Sequence, residues 1–360
     1  MKRCTRCINP NTVPGLEFDE EGVCDFCRAY QQTPVSGEKA LEEVAKAAKS
    51  KGAAYDCLVP ISGGRDSAYV LYAVSRLLGM KPLAVNYDSE FRTPEAVENM
   101  KNACATLGVD AVEYRSKRDI AHSIVKRDIR YAEPLRKYNV CNACAYGYRG
   151  VAYREAHKRR IPLIVWGSSQ VEDMADSLVH ANRLLDQQYG EKLSFVRRLA
   201  RKYLSPCRYR VEYAKFLQRI EFPSPGHGVF NRRFPRLRES TIQEISYFDY
   251  VPWNRQKIKQ TIVNELGWKK PEHAVSTWRI DCTLGALVNF YFIKLFGCTK
   301  DGFGYSRMIN AGQMTREEAL QQEEEVLRRM QDTRSIQALL EEIGLTPGEI
   351  AEILVYQPGN

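Results

Sequence analysis

The chain has 360 residues, 44% of them hydrophobic, 27% charged and 10% aromatic, enough apolar material for about two domains and too much for a wholly disordered or fibrous polypeptide. Its longest apolar stretch, Cys282 to Phe296, is too short for a membrane span and is interrupted by Asn289 and Lys294, so no membrane partner is expected. The net charge of +9 is local: Arg197, Arg198, Arg201, Lys202, Arg208, Arg210, Lys215, Arg219, Arg232, Arg233, Arg236 and Arg238 face only Glu212 and Glu221, a patch that suits a nucleotide-sugar diphosphate, RNA phosphates, or plain solvation.

The N-terminus, Met-Lys-Arg-Cys-Thr-Arg-Cys7, has no apolar segment behind its charges, which predicts a cytoplasmic protein. In that reducing compartment the eleven cysteines are expected as ligands, catalysts or small core residues rather than disulfides. Residues 1–35 read as a zinc ribbon. Cys4-x-x-Cys7 and Cys24-x-x-Cys27, sixteen residues apart, can set four thiolates around one Zn²⁺ and leave no open position for catalysis. An iron site or a redox dithiol is the alternative, and neither needs both pairs. An amphipathic helix is predicted over Ser36 to Lys51.

From Tyr55 the pattern alternates strand and helix over 36–180. Strands are predicted at Tyr55 to Ile61, Pro82 to Tyr87, Ala111 to Tyr114 and Ile161 to Trp166, with helices at Ala68 to Leu78, Pro94 to Leu107 and Tyr148 to Lys158. Such alternation predicts an α/β fold with a doubly wound parallel sheet and ligands beyond the carboxyl ends of its strands. A basic insertion, 181–240, breaks the rhythm and is the candidate substrate-binding region. Residues 241–360 are expected to complete the body and continue as a helical C-terminal region. Thr346-Pro-Gly-Glu349 ahead of Ile350 to Val355 is a helix start, with a cap residue, a proline and a capping-box glutamate.

The most informative segment is Ser62-Gly-Gly-Arg-Asp-Ser67, between a strand and a helix. Two glycines admit phosphate oxygens to the backbone, two serines offer hydroxyls, and the helix start presents free N–H groups. No Gly-Lys-Ser/Thr follows, which weakens a kinase or GTPase reading and leaves pyrophosphate binding. The loop resembles the PP-loop of ATP pyrophosphatases. By that resemblance Ser62, Gly63, Gly64, Arg65, Asp66 and Ser67 bind ATP phosphates with Mg²⁺, and Asp66 and Ser67 are catalytic. Asn86, Tyr87 and Asp88, with Gly167 and Ser168, would contact ATP from neighbouring strand ends. Asp173 falls near an acidic position used around the metal or the activated group.

The resemblance extends along most of the chain. CTRCINPNTVPG and FDEEGVCDFC in the ribbon, YDCLVPISGGRDS, IPLIVWGSS, YFDYVPWN, ELGW and MTREEAL together resemble the N-acetyl sugar amidotransferases of surface-polysaccharide and nonulosonic-acid pathways. The resemblance implies adenylation of the acetamido oxygen of an N-acetyl sugar and replacement of AMP by ammonia drawn from a separate glutaminase and synthase-like pair. Arg232 and Arg233 are candidates for the sugar's anionic groups, and a homodimer is a candidate assembly.

Cys141-x-x-Cys144 and the remote Cys282 complicate this picture, because they resemble the three thiolates that hold a [4Fe-4S] cluster in PP-loop tRNA thiolation enzymes. A PP-loop sulfurtransferase acting on tRNA or a small molecule is therefore the alternative reading. Cys207 could replace Cys282, a second structural zinc could take the site, or the thiols could be reduced and merely buried. Cys57, Cys104 and Cys298 read as packing residues. The five histidines form no metal-binding pattern, and Tyr247, Phe248, Tyr250 and Trp253 read as core, with sugar or base stacking the less frequent alternative.

Overall fold

The computed structural model describes residues 1–13, 15–32, 34–115, 120–131, 140–171, 242–272, 274–277 and 279–355. Five strands, β1 (Cys57–Pro60), β2 (Pro82–Asp88), β3 (Ala111–Arg115), β4 (Leu163–Trp166) and β5 (Gln243–Ser246), form one sheet in the order β3-β2-β1-β4-β5. Every pairing is parallel. The order reverses direction between β1 and β4, which makes the crevice beyond their carboxyl ends the place for a ligand.

Helices on both faces follow from the strand sequences. Because side chains alternate, Cys57 and Val59 of β1, Ala84 of β2 and Leu163 and Val165 of β4 point to one face. There they pack with α2 (Glu38–Lys49), α3 (Arg65–Tyr72), α4 (Pro94–Leu107) and α7 (Arg255–Leu266). Leu58, Leu83, Val85 and Ile164 point to the other face and meet Val151, Ala152, Tyr153 and Ala156 of α6 (Asn142–Arg159). A sheet buried on both faces explains why β1, β2 and β4 read as nearly continuous apolar runs. The α4 boundaries are chemically set: Thr93 Oγ1 accepts from Ala96 N at 3.3 Å, Pro94 opens the helix, and Gly108 closes it at a φ of 64°.

A second core joins the two ends of the described chain. It combines the four ribbon cysteines, the last of them on α1 (Asp25–Ala29), Val13 and Leu16 with α5 (Ile120–Tyr131), α8 (Leu284–Phe296), α9 (Lys300–Asn310), α11 (Arg334–Glu342) and α12 (Pro347–Val355). The cap read from Thr346-Pro-Gly-Glu349 forms as a reciprocal box: Thr346 N donates to Glu349 Oε2 at 2.8 Å, and Glu349 N donates to Thr346 Oγ1 at 3.3 Å. The ribbon is stitched to the C-terminal helices rather than set apart. Arg316 of α10 (Arg316–Arg329) donates to the Cys7 and Cys4 carbonyls at 3.0 and 3.1 Å, and Ile8 N donates to Ser306 Oγ at 3.4 Å. Cys57, Cys104 and Cys298 are buried packing residues as expected. Among the described residues no helix is long and apolar enough to cross a membrane.

Candidate active site and cysteine centres

The loop from β1 to α3 sits at the crevice between β1 and β4. Gly63 turns it at a φ of 82°, and a side chain there would put its Cβ 1.9 Å from the Ala96 carbonyl oxygen of α4, so only glycine lets the loop approach that helix. The Gly63 carbonyl accepts from Trp268 Nε1 at 3.0 Å, and Asn99, which also binds the Lys269 main chain at 2.8 Å, supports the same corner. The two serines face each other: Ser62 Oγ lies 3.2 Å from Ser67 Oγ, Ser62 N donates to Ser67 Oγ, and Gly64 N donates to Ser62 Oγ, each at 3.2 Å. These are short, rotatable hydroxyls and backbone donors on a helix N-terminus, the donor set that suits phosphate oxygens. Gly167, at the end of β4, backs onto the loop so closely that a Cβ would stand 3.2 Å from Ser67 N.

Arg65 and Asp66 form a unit of their own. Asp66 accepts from Arg65 Nε at 3.2 Å and Arg65 Nη2 at 3.0 Å, and from Trp253 Nε1 at 3.0 Å. The Arg65 guanidinium is buried, donates to Thr277 Oγ1 at 3.0 Å and lies 4.9 Å from the Trp253 ring centroid. Trp253 is thus core, as its neighbours Tyr247 and Phe248 are, but its indole also braces the loop.

The β2 residues divide by alternation. Asn86 and Asp88 share a face and are gathered by Arg92, which donates to Asn86 Oδ1 at 2.7 Å and Asp88 Oδ1 at 3.1 Å. The same guanidinium makes a bidentate pair with Glu113 at 3.1 Å. Tyr87 points the other way and packs on Gly147 of α6, where a Cβ would clash with its ring at 2.2 Å, so it stands apart from Asn86 and Asp88. Ser168 Oγ pairs with Ser246 Oγ at 2.7 Å, tying β4 to β5.

Cys141, Cys144 and Cys282 converge beside this loop. The 279–283 segment pairs with the chain after β2 through an antiparallel bridge between Arg92 and Cys282, a Thr283 N to Phe91 O bond of 2.8 Å and a Thr93 Oγ1 to Ile280 O bond of 2.8 Å. Burial, with the charges of Cys141 and Asp281 behind it, pushes the Cys144 thiol up to about 12. Burial and Cys144 push Cys282 up as well. Lys300, drawn down by burial and by Arg279, also feels Cys141 and Cys282. Buried thiols crowded by other anionic groups gain from a cationic metal centre that takes them as thiolates. They do not all approach within 4.8 Å of one another, as the ribbon cysteines do.

The ribbon cysteines are fully buried, with all four sulfurs mutually within 4.8 Å. Cys7 and Cys24 Sγ are 3.7 Å apart, and Cys4 and Cys27 Sγ 3.9 Å. Tetrahedral bonds of about 2.3 Å separate sulfurs by about 3.8 Å, so the spacing is that of one metal ion. Backbone and side-chain donors support thiolate charge: Cys24 N and Cys7 N point at Cys4 Sγ at 3.2 and 3.4 Å, and Asn310 Nδ2 points at Cys27 Sγ at 3.3 Å.

Asp173, Arg232, Arg233 and Cys207 lie outside the described residues. Arg92, Asn99, Trp253, Trp268 and Asp281 were not singled out as site residues from sequence. Only the Trp253 and Trp268 motifs, YFDYVPWN and ELGW, carried a signal, and that came through resemblance rather than a recognisable chemical pattern.

No family profile matches the chain. An uncharacterised protein of Methanocaldococcus jannaschii is 27% identical over 130 residues, covering 35% of this chain and 47% of that protein; the matched stretch thus spans about half the length of that curated relative. Among solved structures, an NMN synthetase from Francisella tularensis covers 86% of this chain and 96% of its own at 11% identity and a TM-score of 0.37. The U34-tRNA thiolase NcsA from Methanococcus maripaludis, solved with its [4Fe-4S] cluster, covers 87% of each chain at 12% identity and a TM-score of 0.35.

Proposed function

We propose that this chain is an ATP pyrophosphatase of the PP-loop type that adenylates an oxygen atom of an acceptor and releases pyrophosphate. The observation that carries the reading is the Ser62 to Ser67 loop, two facing hydroxyls and a glycine turn on a helix N-terminus at the sheet's switch point. An amide oxygen is a poor leaving group, whereas the same oxygen carried off as AMP is a good one. In this reading the acceptor is the acetamido group of an N-acetyl sugar, nucleotide-linked or a nonulosonic acid. Ammonia from a glutaminase and synthase-like pair attacks the activated carbon and leaves an acetamidino group.

The residues divide the work. Ser62, Gly63, Gly64 and Ser67 hold the polyphosphate through hydroxyls and main-chain donors. Arg65, buried on Trp253, keeps the start of α3 in place through Asp66 and Thr277. Asn86 and Asp88, aligned by Arg92, meet the nucleoside, and Gly167 closes the crevice from β4. Bound Mg²⁺ would neutralise charge on the phosphates. The ribbon would hold a structural Zn²⁺ on Cys4, Cys7, Cys24 and Cys27.

A second reading has its own observation. Cys141, Cys144 and Cys282 stand beside the loop, near Asp281, an arrangement suited to a [4Fe-4S] cluster that would present sulfide to the carbon bearing the adenylated oxygen, on tRNA or a small molecule, with AMP as the leaving group. One experiment separates the two. Purified protein is incubated with ATP, Mg²⁺ and nucleotide-linked N-acetyl sugars, with ammonium or sulfide, and AMP, pyrophosphate and product mass are followed. Exchange of oxygen for NH supports amidation and exchange for sulfur supports thiolation. Absence of AMP and pyrophosphate with every acceptor, unfractionated tRNA included, refutes both.

A further inference from the structure

Two carboxylates border the loop, and they differ in what holds them. Asp66 is already engaged, with Arg65 Nε and Trp253 Nε1 on Oδ1 at 3.2 and 3.0 Å and Arg65 Nη2 on Oδ2 at 3.0 Å. Bound by a buried guanidinium, it has little charge to offer a cation. Asp281 contrasts with it: its side chain makes no hydrogen bond or ion pair among the described residues, and it is only partly buried. A methyl group on Gly64 would stand 3.2 Å from its Oδ2, so the carboxylate lies against the second glycine of the loop.

Its position is fixed from the main chain. The Asp281 carbonyl accepts from Thr93 N at 3.4 Å, and the bonds of Ile280 and Thr283 to Thr93 and Phe91 pin the residues on either side. An anion held against hydroxyls and N–H groups suited to phosphate repels the phosphate unless a cation sits between them. Mg²⁺ uses one or two protein carboxylates together with phosphate oxygens, and one free carboxylate facing a phosphate-binding loop is that arrangement.

Resting on the adenylation reading above, we propose that Asp281, rather than Asp66, is the protein carboxylate that meets the divalent cation accompanying ATP, so that this residue makes nucleotide binding metal-dependent. Asp66 is then a positioning residue that holds Arg65 and Trp253. The cation would lie between the phosphates and the Cys144 and Cys282 side of the site.

The test is equilibrium binding of ATP to the full chain in Mg²⁺ and in EDTA, by calorimetry. Wild-type protein is expected to bind at least tenfold tighter in Mg²⁺. Asp281→Asn loses that ratio, and its affinity in EDTA is unchanged or improved because the repulsion is gone. Asp66→Asn weakens binding by a similar factor in both buffers and keeps the ratio. A wild-type ratio in Asp281→Asn, or loss of the ratio in Asp66→Asn alone, overturns the proposal. Should Asp281→Asn fail to fold, Asp281→Glu decides: the longer carboxylate is expected to move the Mg²⁺ midpoint at least threefold, and an unchanged midpoint overturns it. Wild-type protein that binds no ATP in either buffer refutes the nucleotide reading of the loop and this assignment with it, whereas binding without metal dependence refutes only the assignment.

Discussion

Gly63→Ala tests the loop at its most constrained point. The residue holds a φ of 82°, and its Cβ would stand 1.9 Å from the Ala96 carbonyl oxygen. That oxygen belongs to the first turn of α4, capped by Thr93, so the helix backbone cannot give way cheaply. Left-handed strain for alanine costs about 1–2 kcal/mol. Moving the loop to relieve the clash also breaks the 3.0 Å bond from Trp268 Nε1 and leaves a buried indole N–H unpaired, which costs about 1–3 kcal/mol. The expected destabilisation is about 2–5 kcal/mol, a drop of roughly 1 M in urea midpoint at a slope near 3 kcal/mol per molar. Gly64→Ala is the control, because its φ is ordinary and its nearest neighbours, Asp281 Oδ2 and Ser62 Oγ at 3.2 Å, are side chains that can shift. It should unfold within about 1 kcal/mol of wild type and still lose ATP affinity, because a methyl group then lines the phosphate side. Gly63→Ala with a wild-type midpoint would show that the loop does not bear on α4 as described.

The remaining expectations bear on the fold's other supports. Arg92→Ala removes the bonds to Asn86, Asp88 and Glu113 together, and should cost about 2–4 kcal/mol and weaken ATP binding in calorimetry; intact stability would show the network to be ornamental. Cys24→Ser should lower metal content and, because the ribbon packs with α8 and α9, expose C-terminal helices to limited proteolysis, whereas damage confined to residues 1–35 would contradict the shared second core. Glu349 is depressed from 4.5 to about 2 by the Arg130 guanidinium and the Thr346 cap. Since its folded value lies below the ordinary one, its stabilisation of α12 is present above about 4.5 and fades as pH falls toward about 2. Hydrogen exchange of α12 should report that loss, diminished in high salt, and Glu349→Gln should flatten the profile; an unchanged profile would remove the role.

The parts of the molecule that could be read from sequence are those written in local pattern. β1, β2 and β4 are apolar runs between turn residues, α4 carries its own caps, and the glycine loop falls between β1 and α3 as its pattern predicts. β5 escaped because Gln243 to Ser246 buries one side chain and follows β4 only after the long basic stretch. α6 begins at Asn142 rather than Tyr148, since Cys144 and Gly147 gave no helical period to read. At the site, the resemblance groups Tyr87 with Asn86 and Asp88, and strand alternation turns its side chain to the other face. Arg92, Trp268 and Asp281 had no local signature because their roles depend on contacts between distant segments: Trp268 reaches Gly63 across 205 positions.

The ribbon's attachment has a consequence for how the chain is made. Cys4 and Cys7 pair with Arg316 across 312 and 309 positions, and Ile8 pairs with Ser306 across 298. During N-to-C synthesis at about 5–20 residues per second, four thiols waiting for those partners remain in the open for tens of seconds. A metal ion can close the ribbon within the first thirty residues, shield the sulfurs from oxidation and hold the docking surface in shape before α8, α9 and α10 arrive. An ion bound there would act as an early fastener for a late assembly, and scarcity of metal during translation should then lower the yield of folded chain more than chelation of the finished protein lowers its stability.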